Sequence, residues 1–302
     1  MYFTVVAVNI GIFMLLALSL NIITGYAGQS AMGHAAFFGI GAYASALMTS
    51  KMAINFWITL PAAFIITGAV GAILGFVSIR MRDDFLAITT IGINFIVVAI
   101  FQYSPVLGAS LGMAVSKPMF FNIKMNPPQN LILLIILIVL VSLFIKKMNR
   151  SWFGLALSSI RNDETAASSI GIDVNRYKIL TFIIGTALAG MTGAIYAHHM
   201  TFIYSSDFAF VVSISILSMV VVGGIGTIRG PVFGSILLGV APELFRFLDN
   251  YRMIVYGGLL VLMMRFQPGG LLGDESFIVK SIRKLYSAIL NKRGGGANAG
   301  NA

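Results

Sequence analysis

Long apolar runs separated by shorter polar stretches dominate this chain. The first run, at 1–24, holds no charged residue and exceeds the roughly 20 residues that a helix needs to cross a bilayer. A signal peptide would normally begin with basic residues and have a shorter apolar core, so we interpret this run as a retained first span. Similar apolar runs follow at 30–49, 56–79, 85–103, 129–145, 179–200, 208–224, 230–248 and 253–266.

Each of these runs predicts a helix, because backbone N–H and C=O groups in lipid must be satisfied within the segment itself. The pattern therefore predicts an all-α, polytopic integral membrane protein with about nine transmembrane helices. The last run is the shortest, since it lies between Arg252 and Arg265.

The basic residues predict the orientation, because Lys and Arg are enriched in cytoplasmic loops. If all nine runs cross, fifteen of the 20 Lys and Arg residues fall on one side of the membrane and five on the other. Leaving out the run at 253–266 would move the basic C-terminal region away from the other basic loops. We therefore expect the N-terminus outside and the C-terminus in the cytoplasm.

Composition agrees with a membrane protein: 58% of the residues are hydrophobic and 10% are charged, against about 45–50% and 25% in soluble domains. Cysteine is absent, which excludes disulfides and thiol chemistry. The net charge of +10 would suit a nucleic-acid partner. However, the basic residues lie between and after the apolar runs rather than in one stripe, so no nucleic acid is expected.

Glycines spaced four residues apart favour close helix packing, because small residues let two backbones approach. This spacing occurs at Gly71 and Gly75, and again at Gly226, Gly230 and Gly234. The same region contains GIGTIRG, at 224–230, which has the G-x-G spacing of a dinucleotide site. It follows an apolar helix rather than a strand, so helix packing is the favoured interpretation.

Polar residues inside membrane spans are costly and are by default candidates for function. Around the second run they alternate with glycines that can interrupt a helix, an arrangement that transporters use to build polar contacts in lipid. The predicted translocation pathway comprises Asn21, Gly25, Gly28, Gln29, Ser30, Gly33 and His34, with Asn94 and Gln102 as weaker additions. For His34, a hydrogen bond between two helices is the alternative. No metal site or cofactor is expected.

A polar stretch, SSIRNDETAASSIGIDVNRYK at 158–178, joins two apolar runs that a much shorter loop could connect. Asn162 or Asp163 is placed to cap a short helix. Ile160, Ala167 and Ile170 recur at helical spacing and predict one apolar stripe. Two interpretations are open here: an amphipathic helix lying on the protein's own membrane surface, or a docking helix for a cytoplasmic partner.

Several segments resemble one family of proteins. IRNDETAASSIGIDVNRYKILTFIIGTALAGMTGAIYAHH is similar to the cytoplasmic coupling loop and following helix of ABC importer permeases of the branched-chain amino-acid type, in their LivM-like branch. The further similar segments are NIITGYAGQSAMGHAAFFGIGAYASALM, RMRDDFLAITTIG, VVVGGIGTIRGPVFGSILLG and RFQPGGLLG. Together they cover most of 20–273 in the expected order.

The resemblance implies a transmembrane permease domain at 1–273 whose coupling loop, 151–178, docks into a cytoplasmic ATPase. It assigns that docking to Arg161, Asp163, Glu164, Ala166, Ala167 and Gly171. The implied function is that of a permease subunit of an ATP-driven importer for branched-chain or related amino acids, in a prokaryotic inner membrane. The implied partners are ATP-binding cassette subunits, a second homologous permease subunit and an extracytoplasmic substrate-binding protein. Importers of urea, amides and aromatic acids share these signatures and are the alternatives.

Motifs for chemistry within the chain itself are missing from the sequence. It contains no G-x-x-x-x-G-K-[ST] phosphate loop, so ATP hydrolysis is expected on partner subunits. HExxH is also absent, which argues against a zinc hydrolase. An ATPase-independent secondary transporter is a further alternative, although its expected intramembrane acidic residues are scarce.

The C-terminal region, 274–302, is a basic tail. Its apolar residues at helical spacing and its Lys and Arg residues predict an amphipathic helix on anionic membrane lipid, followed by a disordered end.

Overall fold

The computed structural model describes residues 2–78, 83–120, 123–124 and 127–244, and the single positions 257, 258, 261, 265, 270 and 271. The helices within these residues are α1 Tyr2–Asn21, α2 His34–Met52, α3 Phe56–Ser78, α4 Asp83–Tyr103, α5 Pro127–Asn149, α6 Trp152–Asn162, α7 Glu164–Ser169, α8 Val174–Met200, α9 Phe210–Gly223 and α10 Arg229–Leu244. Two antiparallel pairs of two-residue strands complete this part: β1 Met113–Ala114 with β4 Phe202–Ile203, and β2 Met119–Phe120 with β3 Ile123–Lys124.

Six helical segments in the described part are long and apolar enough to cross a membrane: Tyr2–Tyr26, Phe56–Val77, Phe85–Tyr103, Pro128–Asn149, Val174–Met200 and Ser205–Gly223. Helix α2 occupies the predicted second run but is not among the six, and the part of α10 at Arg229–Ala241 is apolar but shorter. The run at 253–266 and the tail lie outside the continuously described residues. The chain is thus a polytopic, helical membrane protein.

The centre of the bundle is α8, which packs against α1, α2 and α3. Its contact with α2 is very close, since a Cβ added at Gly41 would overlap the backbone of Gly190. In lipid, where apolar side chains gain little from leaving the solvent, such close backbone packing provides much of the attraction between helices.

Large apolar side chains on α3, α4 and α5 face outward instead of into the bundle. Ile65, Ile73, Ile88, Phe95 and Leu140 are each more than half exposed. In water this surface would be unfavourable, but in a bilayer it faces hydrocarbon. These three helices therefore form much of the lipid-facing surface of the described part.

The segment after α4 is fastened to one end of the bundle, which we call the loop end. Strand β1 pairs with β4, and the Val115 N–H donates to the Thr201 carbonyl at 2.8 Å. Ser50 Oγ donates to the Ala114 carbonyl at 2.8 Å, and Lys51 Nζ donates to the Val106 carbonyl at 2.9 Å. The opposite end of α8 adjoins α7, and we call it the α7 end.

Buried His198 connects this fastened segment to the helices beneath it. Its Nδ1–H donates to the Ser116 carbonyl at 2.8 Å, and its Nε2 lies 3.0 Å from Ser45 Oγ and 3.3 Å from Thr49 Oγ1. Ser45 Oγ in turn donates to Thr59 Oγ1 at 2.9 Å, so the network joins α2, α3 and α8. The His198 side chain thus holds the segment after α4 to the helix bundle.

Candidate functional site

A break in the helical structure lies between α1 and α2. Helix α1 widens into a π-helical turn at Ile22–Tyr26, and the backbone is not helical again until His34. Gly28 lies within the break with φ +73°, a left-handed conformation that favours glycine. The glycine-rich sequence indicated an interruption in this region, and the structure contains one.

The side chain of Asn21 joins this break to the turn between α9 and α10. Its Nδ2 donates to the Thr227 carbonyl at 2.8 Å, and its Oδ1 accepts the Gly226 N–H at 2.9 Å. Asn21 is fully buried, and the two hydrogen bonds satisfy backbone groups that lie outside regular helix.

Arg161, the last basic residue of α6, lies against the same place. A Cβ added at Gly28 would lie 3.4 Å from Arg161 Cγ, and one added at Gly226 would overlap the guanidinium. We call the group formed by Asn21, Gly28, Arg161, Gly226 and Thr227 the helix-break junction. It brings together two predicted pathway residues, one predicted coupling residue and the turn before α10.

His34 makes the helix-to-helix hydrogen bond that the sequence left open as an alternative. Its Nε2 lies 2.7 Å from Ser19 Oγ on α1, and the single Ser19 hydroxyl proton is donated to the Leu16 carbonyl at 2.7 Å. Nε2 must therefore carry the proton that is donated to Ser19. His34 Nδ1 is then an acceptor, and it is buried without a hydrogen-bond partner.

Two other polar residues named from the sequence carry unpaired buried acceptors as well. Gln29 Oε1 has no partner, and Asn94 donates to the Phe208 carbonyl at 3.2 Å while its Oδ1 has none. Ser30 is half-buried beside the break. Gln102 is exposed near the end of α4 at the loop end, away from the break.

Hydroxyl groups that the sequence did not single out hold the break in position. Thr90 Oγ1 of α4 accepts the Met32 N–H at 3.0 Å, and the Thr90 carbonyl lies where a Cβ on Gly33 would be. Ser213 Oγ of α9 accepts the Ala35 N–H at 2.9 Å, which satisfies a donor in the first turn of α2. Each lies in an apolar run beside other hydroxyl residues, so the sequence did not mark these two positions.

The polar stretch at 158–178 forms two helices and a turn. Asp163 caps α7, because its Oδ1 accepts the N–H groups of Thr165 at 2.8 Å and Ala166 at 3.0 Å. Glu164 forms an ion pair with Lys178 on α8. Gly171 follows α7 with φ +87°, which lets the chain turn into α8.

The predicted apolar stripe along this stretch is wrong. Ile160 and Ala167 are buried, but Ile170 is 73% exposed. Helix α7 ends at Ser169, so Ile170 lies beyond the helix that carries Ala167 and is not held on the same face. An isoleucine at the tip of the polar stretch is thus exposed in the described structure.

The predicted packing glycines divide into three kinds. Gly230 and Gly234 approach α9, since an added Cβ would overlap the carbonyls of Gly224 and Met219. A Cβ added at Gly71 would overlap the Thr186 side chain of α8, whereas one added at Gly75 would be in ordinary van der Waals contact with Ile179 and Phe182. Gly226 differs from the expectation, because it lies before α10 with φ +81° and contributes to the helix-break junction rather than to a helix face.

This architecture defines a class: a polytopic membrane protein with a broken helix among its spans and a short, exposed helix between two of them. A family model described as the branched-chain amino acid transport system / permease component matches residues 2–264. The chain belongs to that family and is a transport subunit rather than an enzyme.

Individual proteins that resemble this chain carry the same family description. The chain is 34% identical to the high-affinity branched-chain amino acid transport system permease protein LivM of Salmonella typhimurium, over 86% of this chain and 68% of that protein. It is 23% identical to a probable LivM of Methanocaldococcus jannaschii, over 93% and 96%, and 26% identical to the LivH permease of Salmonella typhimurium, over 86% and 90%. No solved structure matches.

Proposed function

We propose that this chain is one of two permease subunits of an ATP-driven importer of branched-chain or related amino acids. In this proposal a cytoplasmic ATPase engages the segment 151–178, a second homologous permease completes the pathway, and an extracytoplasmic binding protein delivers the substrate. The observation that carries the proposal is that this segment touches the helix break: α6 carries Arg161 in its last turn, and Arg161 lies against Gly28 and Gly226.

Two connections transmit movement of the coupling segment into the bundle. The Glu164–Lys178 ion pair joins α7 to the start of α8, which is the central helix. Arg161 joins the end of α6 to the helix-break junction. A displacement of α7 by a closing ATPase would therefore reach both the central helix and the interrupted one, as alternating access requires.

The proposed pathway lies along the helix break and uses Asn21, Gly25, Gly28, Gln29, Ser30, Gly33 and His34. Unpaired buried acceptors on Gln29 and His34 support this assignment, because an unsatisfied buried polar atom is costly and calls for an explanation. A passing amino acid brings an ammonium group, whose three N–H donors complement such acceptors. Asn21 is proposed to hold the break in shape rather than to bind substrate, since both ends of its amide are occupied.

The proposed topology has nine crossings, with the α7 end in the cytoplasm. Helix α10 runs antiparallel to α9, since Gly230 lies beside Gly223 and Gly234 lies beside Met219. The described positions 270 and 271 return to the end of α9, where the Leu271 N–H donates to the Val222 carbonyl at 2.9 Å. We therefore propose one crossing between Leu244 and Gly270, which would return the chain to the α7 end and put the basic tail on the cytoplasmic side.

Uptake by the complete system tests the proposal. Cells that lack the gene for this chain, and the same cells with the gene restored, would be given labelled leucine with an excess of unlabelled isoleucine, urea, an aliphatic amide or an aromatic acid. We expect uptake only in the restored cells, competition by isoleucine and loss of uptake when ATP is depleted. Competition by one of the other compounds alone would reassign the substrate, and uptake that followed an ion gradient without ATP would favour a secondary transporter.

A further inference from the structure

An open cavity of about 410 Å³ lies at the corner between α5 and α6, and nothing in the proposed transport cycle uses it. It is lined by Leu143, Lys146, Lys147, Arg150 and Ser151. Three of these five residues carry a positive charge, two of them in the last turn of α5. The corner is at the α7 end of the bundle, because α6 leads directly into Asp163 and α7.

The three positive charges are not neutralised within the described part of the chain. The ion pair found there joins Glu164 to Lys178, and Lys146, Lys147 and Arg150 are all exposed. Uncompensated cations that converge on one concavity repel one another, and a bound anion would relieve this repulsion.

An apolar surface leads into the cavity along α5. Ile132, Ile135, Val139, Leu140 and Leu143 are each more than half exposed on this helix, and Leu143 also lines the cavity. At the other rim, Trp152 begins α6 and is 85% exposed. Tryptophan is enriched at the level of lipid head groups, where its ring faces hydrocarbon and its N–H faces polar groups.

We propose that this cavity binds the head group of an anionic phospholipid, with the phosphate among Lys146, Lys147 and Arg150 and the acyl chains along the exposed face of α5. The ligand would hold the α5–α6 corner at the membrane surface and so fix the base from which the coupling segment extends. This inference rests on the fold and on the side of the membrane, and is independent of the transported substrate.

A lipid fits the surroundings better than the two other anionic ligands that the charges admit. Free phosphate would use the basic side chains but not the apolar approach along α5. An acidic surface of a soluble protein would have to reach side chains that adjoin the hydrocarbon-facing residues Leu143 and Phe144, both nearly half exposed or more. A membrane lipid is the one ligand that presents a phosphate and hydrocarbon in this order.

Tryptophan fluorescence provides a local probe, because the chain has only two tryptophans. Trp57→Phe leaves Trp152, at the rim of the cavity, as the sole emitter. The full-length chain would be placed in nanodiscs of phosphatidylcholine containing rising fractions of brominated phosphatidylglycerol or, in parallel, brominated phosphatidylcholine. Bromine quenches tryptophan only at short range, so the mole fraction at half-maximal quenching reports which lipid lies next to Trp152.

We expect brominated phosphatidylglycerol to quench at a much lower mole fraction than brominated phosphatidylcholine, with the preference falling about fivefold for each basic side chain removed. Lys146→Gln, Lys147→Gln and Arg150→Gln together should abolish it. Lys146→Arg, Lys147→Arg and Arg150→Lys together should preserve the preference, because the three charges remain. A control that removes the same number of charges from the tail, Lys280→Gln, Arg283→Gln and Lys284→Gln, should also preserve it. Arg150→Gln alone tests the site if the triple variant does not fold.

Equal quenching by the two lipids would overturn the proposal, and so would a preference that survives the triple substitution. Loss of the preference on adding millimolar inorganic phosphate at constant ionic strength would show a free-anion site instead. If the triple variant kept the preference but no longer co-purified with the ATPase subunit, the cavity would be a protein-docking surface. None of these results depends on transport activity, so failure here is distinct from failure of the proposed function.

Discussion

The side chain of Asn21 and the backbone of Gly226, 205 residues apart, meet in a hydrogen bond of 2.9 Å from the Gly226 N–H to Asn21 Oδ1. The same side chain donates to the neighbouring Thr227 carbonyl, so the Asn21 amide pairs with one backbone N–H and one backbone C=O of the turn before α10. This pairing joins the interrupted end of α1 to the α9–α10 connection. It also lies where Arg161 brings the segment 151–178 into contact with the transmembrane helices.

Replacing Asn21 by alanine should destabilise the protein by about 1–3 kcal/mol, because two part-buried backbone groups would lose their hydrogen-bond partner. Asn9→Ala, in the same helix but half-buried, is the matched control and should change stability less. The melting temperature of each variant is measured by heating it in detergent and quantifying the folded fraction by size-exclusion chromatography. Equal melting temperatures for the two variants would show that the Asn21 pairing is not important for the fold.

Two glycines one turn apart on α3 should respond in opposite ways to alanine. A Cβ at Gly71 would overlap the Thr186 side chain, with Thr186 Cβ at 2.9 Å, so Gly71→Ala must push α3 and α8 apart and lower stability by about 1–3 kcal/mol. At Gly75 the nearest atoms, on Ile179 and Phe182, lie at 3.6 Å. There alanine fits and should gain up to about 1 kcal/mol of helix propensity. The same unfolding assay separates them, and a loss at Gly75 as large as that at Gly71 would contradict the packing described.

The ion pair between Glu164 and Lys178 should matter for coupling as well as for stability. Glu164 is 45% exposed but Lys178 only 12%, so Glu164→Lys, which leaves Lys178 beside a like charge, should lower stability by about 1 kcal/mol or more. Transport by the protein that still folds should fall severalfold, because α7 would no longer be tied to α8. Substrate-stimulated ATP hydrolysis by the reconstituted complex measures the loss.

Exchanging the two charges is the control for this prediction. The double variant Glu164→Lys, Lys178→Glu restores the attraction and should restore coupling if the pair acts within the chain. If the double variant stays uncoupled while the ATPase still binds, Glu164 acts directly on the partner, and the connection from α7 to α8 must be reassigned to other contacts.

His198 should control how firmly the segment after α4 is held at the loop end. His198→Ala removes the hydrogen bond to the Ser116 carbonyl and opens the network with Ser45. Hydrogen exchange of the nearby Val115 amide, which donates to the Thr201 carbonyl, should then accelerate on the order of tenfold, which corresponds to about 1.4 kcal/mol of lost protection. His199→Ala is the control, since that side chain hydrogen-bonds to Asn130 instead. Trypsin added to intact spheroplasts, which can cut after Lys124 in the same segment, would test the proposed outside location separately.

Within the described residues, six of the nine predicted runs correspond to helices long enough to cross a membrane, and the helix break lies where the glycines cluster, because apolar length and clustered glycines are local signals. The sequence also placed a capping residue at Asn162 or Asp163, and the structure has Asp163 in that role. Each of these features depends only on residues that are neighbours in the chain.

The partners of these features could not be predicted, because they depend on which helices meet. Nothing local indicates that Asn21 pairs with Gly226, or that Thr90 and Ser213 hold the start of α2. The expected stripe through Ile160, Ala167 and Ile170 failed at its last residue, because α7 ends at Ser169 and Ile170 lies beyond it. Gly226 was assigned to a helix by its spacing, yet its positive φ belongs to a turn.

One measurement tests most directly whether the coupling segment meets an ATPase. The chain has no cysteine, so Ile170→Cys introduces a single thiol at the exposed tip beyond α7. A short thiol-reactive photo-cross-linker, applied to native membranes that contain the complete system, should join this position to a protein with a G-x-x-x-x-G-K-[ST] motif, identified by mass spectrometry. Leu111→Cys, 84% exposed at the loop end, should give no such product. Absence of an ATPase adduct at position 170, or an equal yield from position 111, would contradict the account.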